Sequence, residues 1–339
     1  MRIRPKNLMI PDGSPFQYDV LSRKKTADSL TELVKSSIDG LVLSLHAPWG
    51  FGKTTFLSMW RKQLHLDGFR TLYFNAWESD FSDDALVALI GEFGLVVTEF
   101  QRQLDPTEFP LEEQIAKVKK IGGKLIRRAI PAAIRIASAG LLDTDDFLGK
   151  SLAEVGEKFA ESEIQRFEES KRTMASFKSQ IELVAREFSA LDQSGVSRPI
   201  VIIVDELDRC RPDYAIRVLE CIKHLFSVEG IVFVVAIDRT QLSHSVSNQY
   251  GAGMDSEGYR RLFDLELNLP EPTTEQFTDA LFAQFDLDAY FSKREGQMGR
   301  YDRSQFKECF DLLFSSLQSS LRPPTGIFLA RIFCSVDPK

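Results

Sequence analysis

Short apolar runs bounded by turn residues recur in two parts of this chain. Four of the runs are continuous, and a fifth alternates apolar with polar positions. Runs of this length and pattern predict β-strands, and continuous apolar runs are typical of strands that are covered on both faces. The predicted strands are Leu41–Leu45, Thr71–Phe74, Pro199–Val204, Gly230–Ile237 and Leu262–Leu269.

Between these runs the apolar residues recur with the spacing of amphipathic helices. This spacing predicts helices over Lys53–Leu66, Asp213–Phe226 and Thr240–Tyr250. Because strands alternate with helices, we expect an α/β fold in which a parallel sheet lies between layers of helices.

A long helical and charged stretch, residues 85–198, separates the second predicted strand from the third and is far longer than an ordinary connection. After Pro270 the chain is again helical, and Phe306, Phe310 and Phe314 recur on one helix face. The predicted organisation is therefore a first part of the α/β core in 1–84, a mainly helical insertion in 85–198, a second part of the core in 199–270 and a helical lid in 271–339.

Composition places the chain among soluble globular proteins. Of its 339 residues 43% are apolar and 27% are charged, which excludes disordered, collagen-like and membrane-embedded classes. The net charge of −7 gives no general attraction to nucleic acid, so any basic binding surface has to be local. The cysteines form no CxxC pair, the histidines form no zinc pattern, and no apolar run resembles a signal peptide. We therefore expect a cytoplasmic protein without a zinc site.

The segment Ala47–Thr55 reads APWGFGKTT and joins the first predicted strand to the first predicted helix. This context is typical of a phosphate-binding loop, and a glycine-rich surface turn is the alternative. Gly50 and Gly52 would let backbone N–H groups approach phosphate oxygens, and Lys53 would add a positive charge. Thr54 places a hydroxyl where it could ligate Mg²⁺. The residues expected to bind the nucleotide are Pro48, Trp49, Gly50, Phe51, Gly52, Lys53, Thr54 and Thr55.

The second half of such a site requires an acid at the end of an apolar strand, and Asp205 and Glu206 follow the third predicted strand. Open α/β sheets bind ligands at this edge, so Asp205 could hold Mg²⁺, usually through water. Glu206 could orient the attacking water or accept its proton. Solvated acids that close a strand are the alternative, which the agreement with Lys53 and Thr54 disfavours.

Several sequence blocks around these motifs form a specific combination. They are Pro48–Gly50, Tyr73–Trp77, Val204–Pro212, Val218–Lys223, Val234–Arg239 and Tyr259–Pro270. In this combination the chain resembles the KAP family of P-loop NTPases. The resemblance implies an additional-strand P-loop ATPase with a helical insertion and a C-terminal helical lid. It also implies that Gly230–Ile237 lies between the acidic, or Walker B, strand and the strand of the phosphate loop, or Walker A motif.

The resemblance assigns roles to residues outside these two motifs. Asp238 would act as a sensor beside the terminal phosphate. The arginines that could contact phosphate or a neighbouring subunit are Arg209, Arg239, Arg260 and Arg261. Arg322 could be a second nucleotide sensor; for each arginine a surface salt bridge or a simple turn is an open alternative. Trp49 and residues near Asp19–Arg23 could help to hold the base.

One part of the predicted insertion, Lys117–Arg135, is strongly basic and contains no acid. As an amphipathic helix it could lie on an anionic membrane, bind a nucleic-acid backbone, dock on an acidic partner, or pack its apolar side on the core. Members of the family often carry transmembrane helices in this region. Here charges and Pro131 interrupt the apolar run Lys124–Leu142, so no transmembrane span is predicted.

These features favour a Mg²⁺-dependent ATPase that acts as a conformational switch or assembly engine. ATP is favoured over GTP because no guanine-reading NKxD motif follows Asp205. The resemblance suggests a bacterial setting, in which some family members take part in defence against phage. Self-association or a partner protein is expected, because such ATPases often complete their sites between subunits. The alternative is a nucleotide-gated scaffold or a peripheral membrane adaptor with slow or no turnover.

Overall fold

The computed structural model of the chain describes residues 9–37, 39–81, 85–101, 116, 120, 168, 171–186, 198–225, 228–250, 262–292, 303–309 and 311–312. Of the predicted features, most of the basic segment Lys117–Arg135 lies outside the described residues. The single positions that also lie outside them are Arg260, Arg261, Phe310, Phe314 and Arg322.

Five strands form one parallel sheet, as predicted. They are β1 (Leu41–His46), β2 (Thr71–Asn75), β3 (Ile200–Asp205), β4 (Ile231–Ile237) and β5 (Leu265–Asn268). Their order across the sheet is β2-β3-β4-β1-β5. The strand that ends in the acidic pair is therefore separated by β4 from the strand that precedes the glycine-rich loop, which confirms the predicted additional strand.

The central strands pair in parallel, so that Thr71 is level with Val201 and Asn75 is level with Asp205. Ile200 likewise pairs with Ile231 at the start of β4. Every residue of β3 and β4 is buried, which explains why these runs are continuous rather than alternating. The register brings the carboxyl ends of β2 and β3 together at one edge of the sheet.

The fifth strand, Leu265–Asn268, is shorter than the predicted run Leu262–Leu269. The side chain of Asp264 accounts for its late start. Its carboxylate accepts the N–H of Val42 (2.8 Å), while its own N–H donates to the carbonyl of Val42 (2.9 Å). A side chain therefore takes the place of a backbone acceptor where the pairing begins.

Helices lie in the connections between these strands, and further helices precede β1 and follow β5. They are α1 (Lys24–Ser36), α2 (Lys53–Leu66), α3 (Ala85–Gln101), α4 (171–186), α5 (Pro212–Leu225), α6 (Arg239–Tyr250), α7 (Thr274–Phe285), α8 (Leu287–Ser292) and α9 (303–309). The helices predicted from apolar spacing are α2, α5 and α6, and their bounds differ from the prediction by at most one residue. Within the described residues no helix is long and apolar enough to cross a membrane.

The chain divides into two compact units. The first holds the described parts of Met1–Leu33, Leu45–Asp67 and Leu267–Lys339, and the second holds those of Val34–Ser44 and Gly68–Glu266. The glycine-rich loop and α2 thus belong to the first unit, and the acidic pair belongs to the second.

In the second unit one apolar core joins the strands of the sheet to the helices that pack on it. Ile202 and Phe233 contribute from the strands, and Phe93 of α3 with Phe177 and Ile181 of α4 belongs to the same cluster. Helices α3 and α4 lie within the predicted insertion, so these two helices of that segment pack into the core. Each fully buried side chain of this size contributes roughly 1.5–3 kcal/mol.

In the first unit α2 is held by its aromatic face. The rings of Phe16, Phe56 and Trp60 follow one another at centroid distances of 6.4 and 6.2 Å. Trp60 is fully buried, and its indole N–H donates to the hydroxyl of Thr31 in α1 (3.0 Å). Because the indole donor is satisfied, the ring can be buried at little cost, and α2 is fixed at the end of the glycine-rich loop.

Candidate functional site

The glycine-rich loop of the first unit has the backbone conformation that the sequence predicts for its glycines. Gly50 has φ 83° and Gly52 has φ 73°, both in the left-handed region that side chains with a Cβ disfavour. Gly52 is also the N-cap of α2 and provides no side-chain cap. The first turn of α2 therefore directs its N–H groups and the positive end of its dipole toward the loop.

Lys53, the first residue of α2, is buried against this loop. Its ammonium group donates to the carbonyl of Ala47 (2.6 Å), which closes the loop on itself. Thr54 and Thr55 are exposed, and Trp49 is 39% exposed. The loop therefore places a charged lysine, two hydroxyl groups and the N-terminus of α2 together, which is the donor set that an oligophosphate requires.

Sequence reasoning missed the role of Arg23 in this unit. The sequence predicts only that residues near Asp19–Arg23 could help to hold the base, and in the structure the Arg23 guanidinium donates to the carbonyls of Phe51 (2.7 Å) and Pro270 (3.1 Å). No local sequence pattern predicts these contacts, because they join positions that are 28 and 247 residues apart along the chain.

The acidic pair of the second unit begins with Asp205, which is fully buried at the end of β3. One carboxylate oxygen accepts the hydroxyl of Tyr73 (2.8 Å), and the other accepts the N–H of Glu206 (2.8 Å). Burial and the nearby carboxylate raise the pKa of Tyr73 far above its usual value, so the hydroxyl remains a donor. Each carboxylate oxygen has a second lone pair that these two hydrogen bonds do not use.

Glu206 adopts a left-handed backbone conformation, with φ 59° and ψ 23°. Non-glycine residues rarely do so, and the strain costs about 1–2 kcal/mol. Its side chain is 13% exposed, and one carboxylate oxygen lies 3.3 Å from a guanidinium nitrogen of Arg209. Burial raises the pKa of Glu206, Arg209 acts against this, and the carboxylates of Asp205 and Asp208 add to it.

Arg209 connects this acid to a loop that follows β2. Its guanidinium lies 5.8 Å from the ring centroid of Trp77, which is 53% exposed. The loop is fixed at Asp80, whose carboxylate accepts two N–H groups of Arg211 (both 2.9 Å). Phe81 of the same loop is 90% exposed. This loop therefore presents two aromatic rings to solvent next to the contact between Asp80 and Arg211.

The predicted sensor Asp238 is fully buried and immediately precedes α6. Its carboxylate accepts the N–H of Thr240 (3.0 Å), as an N-cap does. Its own N–H donates to the carboxylate of Asp208 (3.1 Å), which links the end of β4 to the turn after Glu206. The side chain thus has a structural partner in α6, which the sequence interpretation did not anticipate.

Arg239, which follows the sensor position, forms an ion pair with Glu266 of β5 (2.7 Å). The two predicted roles for Arg209 and Arg239 were a contact to phosphate or to a neighbouring subunit, with a salt bridge as the alternative. In this structure both guanidinium groups lie in salt bridges with glutamates of their own chain.

The structure brings the predicted residues together in two groups. Lys53 and Thr54 begin α2 directly after the loop of the first unit, while Asp205, Glu206 and Asp238 lie within one hydrogen-bonded region of the second. The hydroxyl of Thr54 in the first unit and the carboxylate of Asp205 in the second are each oxygen groups of the kind that Mg²⁺ binds in proteins. Among the residues that the structure describes, no cluster of histidine, cysteine and acidic side chains could by itself hold a metal ion.

Comparison with known proteins identifies the family of the chain and one similar solved structure. A family model described as the KAP family P-loop domain matches residues 23–319. Among solved structures, the chain is similar to the ORC2 protein of Aeropyrum pernix in its ADPNP–ADP complexes, with 11% identity and a TM-score of 0.38. The match covers 77% of this chain and 51% of that one, so this chain spans about half the length of that structure. No curated protein matches the chain.

Proposed function

This chain belongs to the KAP family of P-loop domain proteins, and from that membership we propose that it binds ATP with Mg²⁺ and hydrolyses it as a conformational switch or assembly engine. The phosphate loop of the first unit would bind the triphosphate. The acidic pair of the second unit would supply the groups for the metal and for the attacking water.

The observation that supports hydrolysis most directly is the geometry of Glu206. Its left-handed backbone is strained, and its carboxyl group is largely buried beside the carboxylate of Asp205. Both features cost stability, and such costs are typical of sites where a side chain is held for chemistry. In the proposed reaction Glu206 orients the water, and it accepts a proton as the water attacks the terminal phosphate.

The remaining residues would act on the nucleotide. Lys53 would leave the Ala47 carbonyl and neutralise charge on the terminal phosphates, while N–H groups at the start of α2 bind phosphate oxygens. Thr54 and Asp205 would hold Mg²⁺, which supplies charge neutralisation at the phosphates when bound. Asp238 would report the state of the terminal phosphate through its link to Asp208.

The test is ATP hydrolysis by the purified chain compared with a Glu206→Gln variant. The variant keeps the shape of the side chain but not its charge, so turnover should fall by about 100-fold or more while ATP still binds. Glu220→Gln is the matched control, because it makes the same change at an exposed position of α5. Equal turnover in wild type and Glu206→Gln would assign water activation to another residue.

A nucleotide-gated scaffold is the second candidate, and the ion pair between Glu206 and Arg209 favours it. In this pairing the acid is engaged by a cation of its own chain, so basal turnover would be slow. Light scattering with and without ATP and Mg²⁺ separates the candidates. A change in size without turnover supports the scaffold, while turnover with unchanged size rules out gated assembly.

A role in defence against phage is proposed only from what is known of other members of the family. If the ATPase serves defence against phage, phage should form fewer plaques on cells that carry the wild-type chain than on cells that carry Lys53→Ala. Equal plaque numbers would remove defence from the proposal without affecting the ATPase itself.

A further inference from the structure

Arg23, the residue before α1, is a buried cation that the proposed reaction does not use. Its side chain is 1% exposed, and burial lowers the pKa of its guanidinium to about 10, against the opposing effect of Asp19. The group therefore stays charged at neutral pH. A buried charge is costly unless hydrogen bonds satisfy it, so the partners of Arg23 indicate what its burial achieves.

The partners of Arg23 are backbone carbonyls of the phosphate loop and of the segment before α7. One terminal nitrogen donates to Phe51 (2.7 Å) and lies 3.4 Å from the carbonyl of Gly52, and the other donates to Pro270 (3.1 Å). The remaining Nε is buried with no hydrogen-bond partner among the described residues. All of these residues belong to the first unit.

These contacts determine which way the N–H groups of the loop point, because of the geometry of the peptide bond. In a trans peptide the C=O and the following N–H point in opposite directions. When Arg23 holds the carbonyls of Phe51 and Gly52, the N–H groups of Gly52 and Lys53 are directed to the opposite side. Those are the N–H groups that a phosphate-binding loop offers to an anion.

We propose that Arg23 is a positioning residue that fixes the phosphate-loop peptides in their anion-binding orientation and ties the loop to the segment leading into α7. This proposal rests on the proposed nucleotide-binding function. Two further contacts follow the same path in the first unit. The rings of Phe51 and Phe277 lie 6.1 Å apart, and Gln276 donates to the hydroxyl of Ser22 (3.3 Å). A movement of the loop on binding would therefore reach the start of α7.

The test compares the affinity for ATP of wild type, Arg23→Lys and Arg23→Met. Methionine keeps much of the apolar volume but offers no donor, so the dissociation constant should rise by about tenfold or more. Lysine keeps the charge but cannot span both sets of carbonyls, so its constant should lie between the two. Turnover at saturating ATP should change by less than about threefold, because Arg23 acts on binding.

Lys62→Met is the matched control in the same unit. Lys62 also donates to a backbone carbonyl, that of Ile10 (2.5 Å), but it lies on α2 away from the loop. Loss of affinity in Arg23→Met with unchanged affinity in Lys62→Met is the expected result. Unchanged affinity in Arg23→Met would overturn the positioning role alone, whereas a wild type that fails to bind ATP would overturn both this proposal and the proposed function.

If the substitutions prevent folding, hydrogen exchange on the wild-type chain tests the proposal instead. ATP with Mg²⁺ should slow exchange in residues 47–54 and, through Arg23, in residues 270–277 as well. Protection of the loop without protection of 270–277 would overturn the link between them.

Discussion

At the scale of single residues, the carboxylate of Asp205 depends on a donor from the neighbouring strand. Removing the hydroxyl in Tyr73→Phe leaves one buried carboxylate oxygen without that partner, so the free energy of unfolding should fall by about 1–3 kcal/mol. The Mg²⁺ concentration needed for half-maximal turnover should also rise. Tyr18→Phe, at an exposed position, is the control. If Tyr73→Phe shows the stability and Mg²⁺ dependence of wild type, the bond does not position Asp205.

Lys53 contacts its own loop in the structure and is expected to exchange this contact for phosphate. In Lys53→Ala the charge is lost, so the dissociation constant for ATP should rise by about tenfold or more. Isothermal titration calorimetry measures the change. Lys25→Ala removes a lysine from the exposed face of α1 and should bind as wild type does. Wild-type affinity in Lys53→Ala would refute the phosphate-loop assignment.

Cys210 lies in the turn after the acidic pair and is expected to be a poor nucleophile. Burial, with the nearby carboxylates of Asp80, Asp208 and Glu206, raises the pKa of its thiol to about 12. The thiolate is the reactive form, so iodoacetamide at pH 8 should modify the exposed Cys309 first. Raising the pH should speed the reaction of Cys210, and mass spectrometry of the labelled peptides follows both. Equal labelling of the two at pH 8 would contradict the burial of Cys210.

At the scale of elements, the start of α2 depends on a left-handed residue. Gly52→Ala places a Cβ where φ is 73°, so the free energy of unfolding should fall by about 1–2 kcal/mol. Gly13→Ala is the matched control, because its added Cβ meets open space at a φ outside the left-handed region. Chemical denaturation measures both. An equal, small effect of the two substitutions would mean that the loop can relax around residue 52.

The elements themselves are largely predictable from the sequence, whereas the contacts between them are not. Continuous apolar runs and helical spacing are local signals, so β3, β4 and α2 are found nearly residue for residue. The bond between Tyr73 and Asp205 joins positions 132 residues apart, and the bond between Arg23 and Pro270 joins positions 247 apart. No local pattern encodes such pairs, since they exist only once the chain has packed.

At the scale of the whole molecule, ligand binding should raise the stability of the chain by mass action. At an ATP concentration about 100 times the dissociation constant the gain is about 2.7 kcal/mol, which a rise in melting temperature reports. In Asp205→Asn, ATP alone should still raise the melting temperature, but added Mg²⁺ should contribute little. A full Mg²⁺ increment in Asp205→Asn would count against its role as metal ligand.

The short strand at one margin of the sheet bears on how copies of this chain can meet. An unpaired sheet margin is a template on which another chain can add a strand, and proteins limit this hazard with short, charged margins. Here β5 has four residues, and Glu266 within it is engaged by Arg239. This margin is therefore a poor seed for aggregation. Assembly driven by nucleotide is therefore expected not to proceed by adding a strand of another subunit to β5.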